Sequence, residues 1–257
     1  MLGQAVSATP PVRQLDGMPC APTPEGSVKL ALLRGFKLSC NGVYIPLSNG
    51  LQHVLAYLAL HRRALLRTHV AGTLWDDVPD QRAAGNLRSA LWRLRHVRLD
   101  LIGCNRQHVS LCSSVSVDVF EAERIAKLVL DPTTDAHALQ LEEVPIEGEL
   151  LPGWDEDWVL LERERLRQIR LHMLDTLCER WTRGGRYHEA VVAGLAAVAS
   201  EPLRESSQRA LIAAFVAEGN PTEAVRQFGL YRDTLWRELR LQPSARLSEM
   251  VEGLSDR

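Results

Sequence analysis

The chain has 257 residues, 46% hydrophobic and 24% charged, with a formal net charge of −2. Those values belong to an ordinary soluble globular protein of one or two domains; they exclude a disordered chain, a collagen and a disulfide-stapled miniature. No run approaches the ~18 apolar residues of a membrane helix, and the amino terminus lacks the basic start and apolar stretch of a secretory signal, so the expected location is the cytoplasm, with no membrane partner. Charge is unevenly spread. Residues 28–110 hold twelve Lys and Arg against four Asp and Glu, a net of +8, whereas residues 111–257 hold seventeen against twenty-six, a net of −9. A basic front segment calls for a polyanionic partner.

In chain order, residues 1–27 carry Pro10, Pro11, Pro19, Pro22 and Pro24 and little apolar periodicity, which reads as a flexible tail. Val28 to Leu33, Phe36 to Cys40 and Val43 to Leu47 read as strands, the last two joined by Asn41-Gly42, a strong hairpin signal because a type I′ turn needs positive φ at both positions. Three helices follow: Leu51 to Arg62, with Leu51, Val54, Leu55, Leu58 and Ala59 on one face; Thr68 to Trp75, with Thr68 as N-cap; and Gln81 to Val97, capped by Asp80. Leu99 to Ile102 and His108 to Leu111 are β-like runs around a tip at Asn105 and Arg106, and Val115 to Val119 adds a further strand. From Phe120 onward the pattern is helical, punctuated at Asp131-Pro132, Val144-Pro145 and Leu151-Pro152-Gly153. Helices are predicted over 155–183 (Asp155 capping), 186–199, 204–218, from Asn220-Pro221, and over 244–254. Leu160, Leu166, Ile169, Met173, Leu174 and Leu177 form an aliphatic stripe, and Trp154 and Trp158 read as core or domain-packing aromatics. Gly185, Glu189, Ala190 and Val191 match Gly219, Glu223, Ala224 and Val225 at a constant offset of 34, the period of tetratricopeptide helix pairs. The domains are thus a tail over 1–27, an α+β winged helix over 28–119 and an all-α tetratricopeptide-like domain over 120–257.

The third front helix carries the chemistry. At 100° per residue, Ala83, Ala84, Leu87, Ala90, Leu91 and Leu94 form one stripe that faces a core. Arg82, Gly85, Asn86, Ser89, Trp92, Arg93 and His96 lie opposite, and Arg88 and Arg95 flank the stripe. A major groove accepts such a helix: Arg pairs with guanine edges, Asn with adenine, and small residues permit close approach. The alternative is a solvated face. The strand–helix–helix–helix–hairpin order is that of a winged helix, with the tip around Arg106 and His108 as the wing. Trp92 faces outward on the wheel; it either touches the groove or packs on the first helix, and packing is favoured.

The segment LAYLALHRRALLRTHVAGTLWDDVPDQRAAGNLRSALWRLR (Leu55 to Arg95) resembles the DNA-binding domain of SARP-type bacterial transcriptional regulators, which is similar to the OmpR-type winged helix. GELLPGWDEDWVLLERERLR (Gly148 to Arg167) and YRDTLWRELRLQPSARLSEM (Tyr231 to Met250) resemble the bacterial transcriptional activator domain that follows it in that family. The resemblance implies a transcriptional activator that binds direct-repeat operators in double-stranded DNA, head to tail as a homodimer, and contacts RNA polymerase holoenzyme. No receiver domain is expected ahead of the winged helix, nor an ATPase or phosphopeptide-binding module behind the helical domain. Arg82, Asn86, Ser89, Arg93 and His96 are the expected groove residues. Arg62, Arg63, Arg67, Arg88, Arg95, Arg106 and His108 are the expected backbone or wing contacts, which orient a domain without reading sequence. The acidic turn at Asp76 and Asp77 is the expected polymerase contact, with plain solvent exposure as the alternative.

No catalytic motif is present: no GxSxG, HExxH, P-loop or GxGxxG after a strand. His53, His61 and His69 are spaced by eight but fall on different elements, and the five scattered cysteines form no CxxC pair and read as reduced thiols. Neither enzyme activity, metal nor cofactor is expected. A repressor of the same fold, or an interaction scaffold that has lost DNA binding, are the alternative functions.

Overall fold

The computed structural model describes residues 27–97, 99–134 and 148–255. The expectations for the tail, save Ser27, and for Val144-Pro145 lie outside those residues. The described residues fall into two compact units, one built from residues 27–30 and 37–116, the other from Ala31–Phe36 and the described residues from Val117 to Ser255.

The first unit opens with β1 (Val28–Ala31), β2 (Lys37–Cys40) and β3 (Val43–Tyr44). Asn41 and Gly42 turn the β2–β3 hairpin at φ 51° and 80°, as the sequence requires. Helix α1 (Asn49–His61) follows, then β4 (Leu65–Leu66), α2 (Arg67–Leu74), α3 (Asp80–Arg95), β5 (Ile102–Cys104), β6 (His108–Leu111) and β7 (Val115–Val117). The strands form two sheets, ordered β3-β2-β1-β7 and β4-β6-β5. Helix α1 is buried on more than the expected face: Ala56, Tyr57 and Leu60 are covered as well. The Tyr57 hydroxyl lies 3.0 Å from His69 Nε2 and 3.4 Å from Thr73 Oγ1, tying α1 to α2.

Two caps of this unit differ from expectation. The N-cap of α2 is Leu66, not Thr68. Strand β4 is the reason: Leu65 and Leu66 pair with Val109 and His108, and the Arg67 N–H donates to Gln107 O at 2.8 Å, so the helix starts where the strand pairing releases the chain. The N-cap of α3 is Pro79, which leaves Asp80 in the first turn, where a carboxylate complements the helix dipole. The wing is the antiparallel β5–β6 hairpin, registered Ile102 to Leu111 and Cys104 to Val109.

The second unit contains α4 (Asp118–Leu130), α5 (Asp157–Arg183), α6 (Tyr187–Ser200), α7 (Glu205–Glu218), α8 (Pro221–Leu239) and α9 (Ala245–Ser255). Glu156, not Asp155, is the N-cap of α5. The 34-residue repeat is structural: α6 and α8 start at Tyr187 and Pro221, Gly185 and Gly219 turn the chain at φ 75° and 89°, and Ala190 and Ala224 are fully buried. Small residues let α5, α6 and α7 approach: Ala190, Ala193, Ala197, Ala210 and Ala214 share one core with Leu174, Leu177 and Trp181. Of the aliphatic stripe on α5, Met173, Leu174 and Leu177 are buried but Leu160 is exposed: in the first turn it is the adjacent Val159 that faces the core. Trp154 and Trp158 are half-buried; Trp154 stacks on Phe36 with ring centres 6.3 Å apart.

Within this unit the Ala31–Phe36 segment is held by main-chain bonds. The Asp118 carboxylate accepts from the N–H groups of Leu32, Leu33 and Val119 at 2.8–3.0 Å. Leu33 bridges Leu150, and the Arg34 N–H donates to Glu149 O at 2.8 Å. Arg163 secures the far side, donating to the carbonyls of Leu150, Leu151 and Trp154.

Candidate nucleic-acid interface

Helix α3 sorts its side chains as the wheel predicts. Ala83, Leu87, Ala90, Leu91 and Leu94 are buried, with Ala84 half-buried at the stripe's edge. Arg82, Ser89, Arg93 and His96 are exposed along the opposite face and Asn86 is half-buried beside them. They span about 21 Å of helix at ~1.5 Å per residue. The Ser89 hydroxyl donates back to Gly85 O at 3.1 Å, which fixes its rotamer and keeps that part of the face low.

Trp92 does not pack on α1. It is 63% exposed and stacks on His96, ring centres 4.0 Å apart, while His96 Nδ1 sits 2.7 Å from Trp92 O. The preference for packing is thus overturned: the stripe between α3 and its neighbours is already filled by alanine and leucine, and an indole four residues before His96 finds its partner on its own helix.

The remaining basic residues divide by position. Arg88 is exposed on the helix flank, one guanidinium nitrogen close to Gly85. Arg95 reaches toward the wing, Nη2 donating to Cys104 Sγ at 3.0 Å. Arg67 donates to Asn105 O at 3.3 Å and so braces the wing tip. The Asn105 side chain accepts from the Gln107 and His108 N–H groups at 2.8 and 2.7 Å, a turn that leaves Arg106 exposed at its apex and His108 half-buried in β6. Arg62 and Arg63 are exposed beyond the end of α1, and Asp76 and Asp77 are exposed between α2 and α3. Neither the β4 clamp on the wing nor the bracing role of Arg67 was readable from sequence, since a two-residue strand has no periodicity.

The two units treat arginine differently. In the helical unit several arginines are neutralised by carboxylates, as in Arg165 with Glu123 and Glu162, Arg167 with Glu164 and Glu201, and Arg204 with Asp175. On α3, Arg82, Arg88, Arg93 and Arg95 have no carboxylate within ion-pair distance among the described residues. A row of cations without internal counter-charges presents positive potential to an external anion. Among the described residues no group of three or more His, Cys, Asp or Glu could hold a metal, and no helix is long and apolar enough to cross a membrane. Cys40, Cys104 and Cys178 are free thiols, whereas Cys112 is disulfide-bonded, contrary to the expectation of reduced cysteines throughout.

A sheet-flanked three-helix unit with a wing, joined to stacked helix pairs, defines a winged-helix protein with a tetratricopeptide-like helical domain. Residues 136–254 match the bacterial transcriptional activator domain. The chain is 26% identical over 258 residues to the regulatory protein AfsR of Streptomyces coelicolor, a match that covers 95% of this chain and 26% of AfsR. Its fold is similar to that of Mycobacterium tuberculosis EmbR, solved in complex with a low-affinity phosphopeptide, with a TM-score of 0.69 at 18% identity over 90% of this chain and 66% of that one. The chain therefore spans about a quarter of AfsR and about two thirds of the EmbR chain. By domain match and sequence the chain is similar to bacterial transcriptional regulators, and by fold to EmbR.

Proposed function

We propose that the chain is a sequence-specific DNA-binding activator of transcription. In this reading α3 lies in the major groove of a direct-repeat operator and two protomers sit head to tail on one DNA face. The observation that carries the reading is the α3 face itself: Arg82, Ser89 and Arg93 exposed in a row with the half-buried Asn86, and no carboxylate paired to the arginines. Arginine and asparagine are the side chains that read guanine and adenine edges bidentately. Arg62, Arg63, Arg67, Arg95 and Arg106 surround that face as phosphate contacts, Arg88 and His108 lie beside them on the backbone or wing side, His96 extends the face, and the domain that does this work is residues 28–119. The helical domain, 120–257, joins protomers, and Asp76 and Asp77 meet RNA polymerase holoenzyme.

The test is a competition between operator and random DNA. Arg93→Ala and Asn86→Ala each lower discrimination by ~1–3 kcal/mol, the worth of a bidentate base contact. Wild-type discrimination in both variants would place the reading face elsewhere. An Asp76→Ala, Asp77→Ala double variant keeps operator affinity and loses transcript yield with purified polymerase; undiminished yield removes these residues from the polymerase contact. Footprints of the full chain should show half-sites ~10–11 base pairs apart, one helical turn.

A further inference from the structure

The helical unit contains a cavity of about 260 Å³ between α4 and α5, which the DNA-binding reading does not use. Val119, Ala122, Ala126, Leu166, Ile169 and Met173 make its apolar wall, and Leu33 of the clamped segment closes one side. Charged groups also line it: Glu123, Glu149, Arg163, Arg167 and Arg170. Four of these are already paired. Glu123 meets Arg165 at 2.6 Å, Glu149 meets Arg163 at 3.1 Å, and Arg167 is held by Glu164 and Glu201. Arg170 is the exception among the described residues. Its Nη1 donates to Gly148 O at 2.6 Å, its buried Nε has no hydrogen-bond partner, and no carboxylate lies within ion-pair distance. Burial draws its pKa below the ordinary arginine value, with neighbouring Arg167 adding to the effect and Glu149 opposing it. A partly buried guanidinium with no ion-pair partner is costly unless an anion approaches its open edge.

We propose that this cavity is a binding site for a small amphipathic monocarboxylate, its short alkyl tail against Ala122, Ala126, Ile169 and Met173 and its carboxylate on Arg170. The volume lies just below the ~300–1,000 Å³ of ordinary ligand pockets, which sets a small ligand. The charge balance sets its valence: Arg163, Arg167 and Arg170 against Glu123 and Glu149 leave one net positive charge on the lining, which a monoanion matches and a phosphate dianion exceeds. Such a ligand would also touch Leu33, two residues beyond β1.

Octanoate is the probe, titrated calorimetrically into the full chain at neutral pH, with octan-1-ol and octylamine as the neutral and cationic counterparts of equal tail. Octanoate is expected to bind saturably at one site and at least about tenfold more tightly than either counterpart, ~1.4 kcal/mol. Arg170→Gln brings octanoate down to the level of octan-1-ol. Ala122→Leu, which fills the apolar end without touching Arg170, abolishes binding of both while circular dichroism stays that of the parent. Absence of saturable octanoate binding in the millimolar range, equal binding of all three probes, or octanoate binding undiminished in both variants overturns the proposal. Operator binding by the same preparation is read separately, so failure here leaves the DNA-binding reading untouched.

Discussion

Single residues in this protein are set mainly by whether their polar groups find partners. Asp175, on α5, is buried and accepts from Ser207 Oγ at 2.6 Å, Ser206 Oγ at 2.8 Å and Arg204 Nε at 3.2 Å, so that one carboxylate fixes the start of α7. Asp175→Ala strands three donors, one of them charged; the expected cost is ~3–5 kcal/mol, as for a broken buried ion pair, measured by urea unfolding. A loss under ~1 kcal/mol would mean that water replaces the carboxylate at little cost. Acid titration provides a second residue-scale test. Hydrogen bonds from Arg167 and Gln168 lower the Glu164 carboxyl from 4.5 to about 2. Its contribution to stability is therefore present above pH 4.5 and is lost as the pH falls toward 2. Glu164→Gln should flatten the fall of thermal midpoint over that interval, and an unaltered slope would assign acid sensitivity elsewhere. Asp118 runs the opposite way: burial, outweighing the N–H groups that it accepts from, raises its pKa, so its contribution is greatest at low pH and falls as the carboxyl ionises.

At the level of elements, helix contact distance decides. A Cβ on Gly194 of α6 would stand 3.0 Å from Leu211 Cδ1 and 3.2 Å from Cys178 Sγ. Helix α6 thus packs between α5 and α7 at a separation that only a glycine or a yielding neighbour allows. Gly194→Leu is expected to cost at least ~1–3 kcal/mol through overpacking, with no change in helicity of the folded state; a neutral result would show that Leu211 can rotate aside. The periodicity of α3 made its buried stripe legible from sequence, because a one-sided amphipathic helix writes its orientation in its spacing. Helix α1 was less legible: it is covered on several sides, so Ala56, Tyr57 and Leu60 are buried off the predicted face. Caps were less legible still. Thr68 and Asp80 are good capping residues by type, yet strand β4 and Pro79 moved both helix starts.

For the molecule as a whole, charge is divided between its segments, +8 over residues 28–110 and −9 over 111–257. Binding to DNA through five phosphate contacts, those of Arg62, Arg63, Arg67, Arg95 and Arg106, predicts a slope of roughly −4.5 in log K against log salt. Arg106→Ala should reduce that slope by about 0.9 while weakening operator and random DNA alike. A slope unchanged by the substitution would remove the wing tip from the interface.

The sequence by itself determined the two kinds of architecture, the Asn41-Gly42 hairpin, the 34-residue repeat and the polar face of α3. Each is a local pattern, fixed by backbone geometry or by periodicity within one element. Only the tertiary structure decided that Trp92 stacks outward on His96, that β4 clamps the wing, that Asp118 holds the Ala31–Phe36 segment, and that Arg170 alone among the described charges of the α4–α5 cavity lacks an ion-pair partner. Those features depend on which side chains meet across long stretches of chain, and residue spacing along a single element carries no record of that.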